Sequence, residues 1–274
     1  MQVGIFAKTF SITGALPVLQ AVRQAGYEVA QFNMACLGML SMPESIAPAL
    51  ADKIAKASAA SGVAIAAISG TYNMIHPDPA VRADGLARLA TIIRAAPLMG
   101  TRLVTLCTGT RDSKDQWRHH SDNSSKEAWH DLLEEMGKAI VLAEENGVDL
   151  GIEPELANVV SSAEKARQLI YELKSPRLRI VLDPANLFEV ASPRESQLII
   201  AYAVDLLGGH VIMAHAKDRR ANGEFTGAGS GVIDFPHFIR CLSSAGFDGP
   251  LVTHGLSESE APHVAAFLRG VIAA

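Results

Sequence analysis

At 274 residues, with 49% hydrophobic and 19% charged residues, the chain is long enough to bury one large core and does not require a second domain. A formal charge of -5 with scattered basic residues argues against a nucleic-acid partner, and Cys36, Cys107 and Cys241, widely spaced and without a CxxC pair, argue against a disulfide scaffold or zinc knuckle. No apolar run approaches the ~18 residues of a membrane span and no basic-then-apolar leader precedes Val3, so a soluble, cytoplasmic protein with no membrane partner is expected.

Short β-rich segments alternate with longer stretches of helical period, the pattern of repeated βα units around a parallel sheet. VGIFA (3–7) reads as the first strand, followed by a helix around 16–26 with Pro17 in its first turn and Gly26 as its stop. EVAQF (28–32) is the second, and a loop marked by Pro43 leads to a helix that closes at Gly62. AIAAIS (64–69) is the third, and its helix runs through 80–99, where Pro97 ends or kinks it. LVTLC (103–107) is the fourth. The polar connection over 108–125 is long for a barrel and is a candidate mobile lid. A helix carrying Leu132, Leu133, Met136, Ile140 and Leu142 then stops at Gly147. DLGIE (149–153), LRIVLD (178–183), HVIMAH (210–215) and PLVTH (250–254) supply the last four strands, with helices starting near Ser162, Ser196, Asp234 and Glu258. Ser161 to Glu164 has the form of a capping box. Eight such units without a repeat or linker predict a single α/β domain over 1–274, a (β/α)8 TIM barrel with its chemistry at the C-terminal ends of the strands.

Four ionisable side chains stand where an apolar run gives way to a loop: Glu153, Asp183, His215 and His254. Such groups are costly to bury unless hydrogen-bonded, paired or metal-bound. Singly, each has an ordinary structural explanation: a salt bridge for Glu153, a turn shaped by Asp183, Pro184 and Asn186, and satisfied strand-end histidines. Together, on the fifth to eighth strands, they point at one centre, and two carboxylates with two imidazoles make a cage for one divalent ion.

The strings IEPE (152–155), LDPANL (182–187), HAKD (215–218) and GAGSGVIDF (227–235), in this order, resemble the sugar isomerase/epimerase superfamily of xylose isomerase-like TIM barrels, and the likeness covers almost the whole chain. In that family a Glu, an Asp, a His and a Glu after the fifth to eighth strands hold one divalent ion. The two glutamates also form the acid/base pair that moves a proton on and off a sugar carbon. Glu153, Asp183 and His215 match the first three positions. His254 stands where the family has Glu, and Asn186 where many relatives carry His. Imidazole both ligates divalent ions and serves as a general base near neutral pH, so His254 is expected as the fourth ligand or as an acid/base.

Around this centre, Lys217 is two positions beyond His215 and suits a substrate hydroxyl, carboxylate or phosphate, unless it is simply solvated beside Asp218. His76 is a candidate substrate contact, and Glu155 a ligand-binding group or second general base. In the long connection Arg111, Trp117, Arg118, His119 and His120 are candidates, Trp117 for stacking on a sugar face. Arg219 and Arg220 suit an anionic substrate or plain solvation. GAGSG (227–231) matches neither a dinucleotide nor a Walker loop, so no nucleotide cofactor is expected. No GxSxG elbow is present.

The resemblance implies a divalent-metal-dependent isomerase or epimerase of a sugar, sugar phosphate or sugar acid, working through a cis-enediolate. Glu153 is then one proton carrier and His254 or Glu155 the other. Mn²⁺ is the first expectation for the ion, with Zn²⁺, Co²⁺ or Mg²⁺ as alternatives, and the expected assembly is a homodimer or homotetramer. Two other readings share the barrel: a metal-dependent dehydratase or lyase on an inosose-type keto-polyol, and a non-catalytic sugar-binding barrel, which the His254 departure favours. A DNA-repair endonuclease, with three metals and more strand-end histidines, fits poorly with Cys107, Asn186 and the negative charge.

Overall fold

The computed structural model describes residues 1–274. The β-rich segments form β1 (Gln2–Phe6), β2 (Val29–Phe32), β3 (Ala64–Ser69), β4 (Leu103–Leu106), β5 (Asp149–Ile152), β6 (Leu178–Leu182), β7 (Val211–Arg219), β8 (Phe225–Gly227) and β9 (Pro250–Thr253). All but β8 pair in parallel around a ring in chain order, with β9 between β7 and β1, so the sheet closes into an eight-stranded barrel. The helices α1 (Ala15–Gln24), α2 (Pro48–Ser61), α3 (Pro79–Ala95), α4 (Lys126–Asn146), α5 (Ala163–Leu173), α6 (Pro193–Leu207), α7 (Phe235–Ser244) and α8 (Ala261–Ala273) complete the (β/α)8 TIM barrel predicted above. No helix is long and apolar enough to cross a membrane.

Two apolar clusters follow from the alternation of strand side chains. Outward-facing strand residues and the inner faces of the helices form a core of 71 residues. A separate cluster of five, Ala67, Leu103, Val181, Met213 and Val252, plugs the lumen. Side chains two residues apart on a strand point the same way, so the layer above the plug is Ser69, Thr105, Asp183, His215 and His254. The apolar plug thus sets the depth of the polar residues. Gly151 belongs to the same level as the plug, since a Cβ there would lie 2.8 Å from a Val181 methyl. Glu153, two residues on, rises beside the others.

Local differences from the sequence expectations have identifiable causes. Pro97 lies in a 3-10 turn, Ala96–Met99, that continues directly from α3. The N-cap of α5 is Ser162, which accepts from the Lys165 backbone, so the cap lies one residue beyond the box read at Ser161 and has no reciprocal partner. The reciprocal capping box belongs to Ser192 and Glu195 at the start of α6, three residues earlier than predicted. α8 likewise starts at Ala261 rather than near Glu258. The largest difference is β7, which overruns His215 by four residues and turns back through Asn222 and Gly223 to pair antiparallel with β8.

Candidate metal centre

Asp183 ends β6 and does two things at once. Its Oδ1 accepts the Ala185 backbone N–H at 2.9 Å, shaping the turn, while Oδ2 faces the lumen. There it lies 3.1 Å from the Lys217 Nζ, 3.1 Å from the His254 Nε2 and 3.9 Å from the His215 Nδ1. Glu153 Oε1 accepts from the Asn186 side chain at 2.8 Å and lies 3.2 Å from the same His215 Nδ1. The far side of the His215 ring meets the Gln31 Oε1, 2.9 Å from Nε2. With Nε2 donating its hydrogen to Gln31, Nδ1 keeps its lone pair for the cage. Gln31 is itself held by the hydroxyls of Ser69 and Thr105, at 3.3 and 3.0 Å.

One ligand atom from each of Glu153, Asp183, His215 and His254 lies within 4.8 Å of every other. Ligands on opposite sides of an ion with bonds of ~2.0–2.2 Å are at most about 4.4 Å apart, so the cage needs only a slight contraction to fit one. Two carboxylate oxygens and two imidazole nitrogens suit a borderline divalent ion such as Mn²⁺, Co²⁺ or Zn²⁺.

The charges in the cage set one another. Burial alone would raise the Asp183 carboxyl, but the Lys217 ammonium and the two imidazoles outweigh it and hold it far below the usual range. Glu153 follows the same pattern, with His215 outweighing burial and lowering it. Burial pushes His215 down, and the Glu153 carboxylate more than reverses this. His254 is lowered by burial and by its neighbour His215, whose ring centroid is 4.4 Å away, so it stays neutral. Burial and the nearby Glu153 charge raise Glu155. Burial, Glu153 and Glu155 raise the Cys107 thiol, which remains protonated.

Above the cage opens a cavity of about 400 Å³ to which mostly polar residues contribute. Gln31, Ser69, Thr105, Glu153, His215 and His254 form its floor. The next level up each strand gives Lys8, Asn33, Thr71, Cys107, Glu155 and Lys217, with Gln116 and Trp117 at the lip.

Of the residues expected in the site, Glu153, Glu155, His215, Lys217, His254 and Trp117 line this cavity, and Asp183 lies just beneath it. Lys217 is 6% exposed, so it is not a solvated lysine. It pairs with Asp183 rather than Asp218, donates to Asn186 Oδ1 at 3.0 Å, and stands 3.9 Å from the Phe225 ring centroid. Asn186 is buried and bridges Glu153 to Lys217 instead of facing a substrate.

Two expected substrate contacts sit elsewhere. Arg111 turns out of the cavity to pair with Asp131 at 2.7 Å and to donate to the Ile75 carbonyl. His76 lies in a separate depression, held by the Asp78 N–H and the Ser113 carbonyl. His120 caps a short 3-10 turn, Ser121–Ser124, inside the long connection. Arg219 is buried and donates to the Ala185 and Gly223 carbonyls, which makes it part of the scaffold.

Gln31, Asn33 and Lys8 were not singled out from sequence. Gln31 could have been: it is a lone amide in an otherwise apolar strand, two residues short of a strand-end loop.

The chain's residues 19–270 match the family model described as xylose isomerase-like TIM barrel. No curated protein matches the sequence. Among solved structures it is similar to D-psicose 3-epimerase from Clostridium cellulolyticum H10, at TM-score 0.76 and 15% identity over 99% of both chains. It is similar to 3-keto-D-glucoside 4-epimerase from E. coli, at 0.76 and 14% over 98% of this chain and 99% of that one. It is also similar to an L-ribulose 3-epimerase, at 0.76 and 20% over 99% and 94%. At such identities these likenesses speak for the fold, while the family model spans nearly all of the barrel. The chain therefore belongs to the xylose isomerase-like TIM barrel family.

Proposed function

We propose that the chain is a divalent-metal-dependent isomerase or epimerase acting on a sugar, sugar phosphate or sugar acid. The observation that carries this reading is the cage of Glu153, Asp183, His215 and His254 at the floor of a cavity to which mostly polar residues contribute. That several structural neighbours are named as sugar epimerases supports the choice of substrate class.

A divalent ion held by these four residues would act as a Lewis acid on adjacent substrate oxygens and stabilise the negative charge that develops there. The protein groups supply the proton traffic. Glu153 is kept ionised, and its Oε1 is fixed by the Asn186 amide, leaving Oε2 as the base that takes a proton from the carbon next to a carbonyl. Glu155, raised by burial and by Glu153, holds a proton more readily and is suited to return one. Displaced from the ion, the neutral His254 ring would instead serve as a proton acceptor. Lys217, fixed on Asp183 and Asn186, presents a permanent positive charge to substrate oxygens.

The test is proton exchange. Mn²⁺-loaded protein incubated in deuterated water with a panel of ketoses and keto sugar acids should place deuterium at the carbon beside the carbonyl of at least one, read by NMR. Asp183→Ala should lose both stoichiometric Mn²⁺ binding and that exchange. Wild-type Mn²⁺ affinity in Asp183→Ala, measured by calorimetry, rejects the cage, and no exchange into any member of the panel rejects the reaction.

A further inference from the structure

The cavity is electrically lopsided, and its far side carries donors with nothing to donate to. Lys8 follows β1 and Asn33 follows β2, each one inward step above a floor residue, Phe6 and Gln31. In the closed ring β1 lies directly across from β5, and β2 across from β6, so both face the side that carries Glu153, Glu155 and Asp183. Lys8 is exposed at the rim, lining both this cavity and a smaller depression beside Phe10 and Cys36, and its ammonium has no protein partner. Its backbone sits in a 3-10 turn, Ala7–Thr9, anchored by buried Ala7 and Phe10. Asn33 is only 4% exposed, and its Oδ1 is committed to the Ala35 N–H at 2.9 Å. That bond turns the amide so that Nδ2, which has no protein partner, is offered to the cavity. Both carboxylates that line the cavity, Glu153 and Glu155, follow β5, so no anion balances the ammonium at this end.

We infer that Lys8 and Asn33 form an anion-recognising pole, and that the substrate carries a carboxylate or phosphate at the end remote from its reacting carbons. A cavity of about 400 Å³ is at the small end of ligand pockets, which start at roughly 300 Å³. It admits a single sugar laid across the mouth with its terminal group at the pole. Lys8 supplies the charge and Asn33 a directed N–H, a pairing that discriminates a charged oxygen from a neutral hydroxyl. This inference rests on the sugar isomerase/epimerase reading and narrows its substrate class.

The experiment titrates Mn²⁺-loaded protein calorimetrically with D-fructose, D-fructose 6-phosphate and D-fructuronate, three ketoses that differ only at C6. One or both anionic ketoses should bind at least about tenfold tighter than D-fructose, and which of them does so separates phosphate from carboxylate. Lys8→Met should remove most of that preference, with a smaller effect on D-fructose. Asn33→Asp, which retains an acceptor for Ala35 but sets a negative charge at the pole, should reverse it. Equal affinity for all three in the wild type, or a preference that survives Lys8→Met, overturns the pole while leaving sugar chemistry at the cage intact. No binding of any of the three together with no deuterium exchange overturns both.

Discussion

Gln31 is the residue whose removal tests the cage without touching a ligand. In the wild type, His215 donates Nε2–H to the Gln31 Oε1 at 2.9 Å, and Nδ1, 3.2 Å from the Glu153 carboxylate, is thereby the nitrogen left for the ion. Gln31→Leu has a similar volume but offers no acceptor. The ring then either keeps its tautomer with a buried N–H unpaired, at about 1–3 kcal/mol, or moves the hydrogen to Nδ1, where it bonds Glu153 and blocks the ligating lone pair. In the first state the ring loses the basicity that the acceptor lends its ligating nitrogen, and in the second metal binding has to move the hydrogen back, so affinity should fall by about 10- to 100-fold, equivalent to ~1.4–2.7 kcal/mol. Calorimetric titration with Mn²⁺ reads the loss, and ring ¹⁵N shifts of the metal-free protein read the tautomer. Gln31→Glu restores an acceptor and makes the imidazole a better ligand, so its affinity should equal or exceed the wild type. A folded Gln31→Leu protein whose Mn²⁺ affinity stays within about twofold of the wild type would refute the tautomer argument.

Other variants address the remaining features. His254→Glu should retain metal and shift preference towards harder ions such as Mg²⁺, whereas His254→Ala should weaken Mn²⁺ binding by about tenfold or more; unchanged affinity in the alanine variant would assign the imidazole to proton transfer alone. Within the 108–125 connection, Thr108 and Thr110 are fully buried and tied to Val160 and Asn123, so slowing of amide exchange on ligand binding should be confined to about residues 113–120. Slowing spread evenly from 108 would contradict that. Gly85→Ala places a Cβ 2.1 Å from a Tyr72 ring carbon, an overpacking cost of about 1–3 kcal/mol that should lower Tm by several degrees in calorimetry. An unchanged Tm would mean that the ring has room to move.

Strand positions and the cage were legible because both rest on period-two patterning: a run such as LRIVLD has one inward face, and its last member must lie at the barrel mouth. The place of His254 at the end of the last barrel strand could be read the same way. The β7–β8 hairpin was less so, although Asn222-Gly223 is a strong turn signal, because it interrupts a stretch of glycines and charges with little apolar alternation. Arg111 and His76 could not be located from sequence at all. Their neighbours in space, Asp131 and the Ser113 carbonyl, come from segments whose approach depends on how the long connection folds back. Lys217 could be placed at the rim, but its partner could not be read: Asp218 is its neighbour in the chain, yet alternation sends the two side chains to opposite sides of the strand, and Lys217 pairs with Asp183 instead.

That opposite side has its own consequence. Asp218 is fully buried and accepts four backbone N–H groups, from Arg219, Gly229, Gly231 and Ile233, so one carboxylate clamps the whole glycine-rich turn to β7. A Cβ at Gly231 would lie 2.1 Å from the Arg219 carbonyl oxygen, so even alanine is excluded there. One bank of the barrel mouth is therefore closed to variation, since almost any substitution in the turn disturbs the strand that carries His215 and Lys217. The opposite bank, with Leu40, Lys8 and the exposed tip around Trp117, has no comparable clamp. Altered substrate preference, by natural drift or by engineering, should accumulate on that bank while the turn at 227–233 stays as it is.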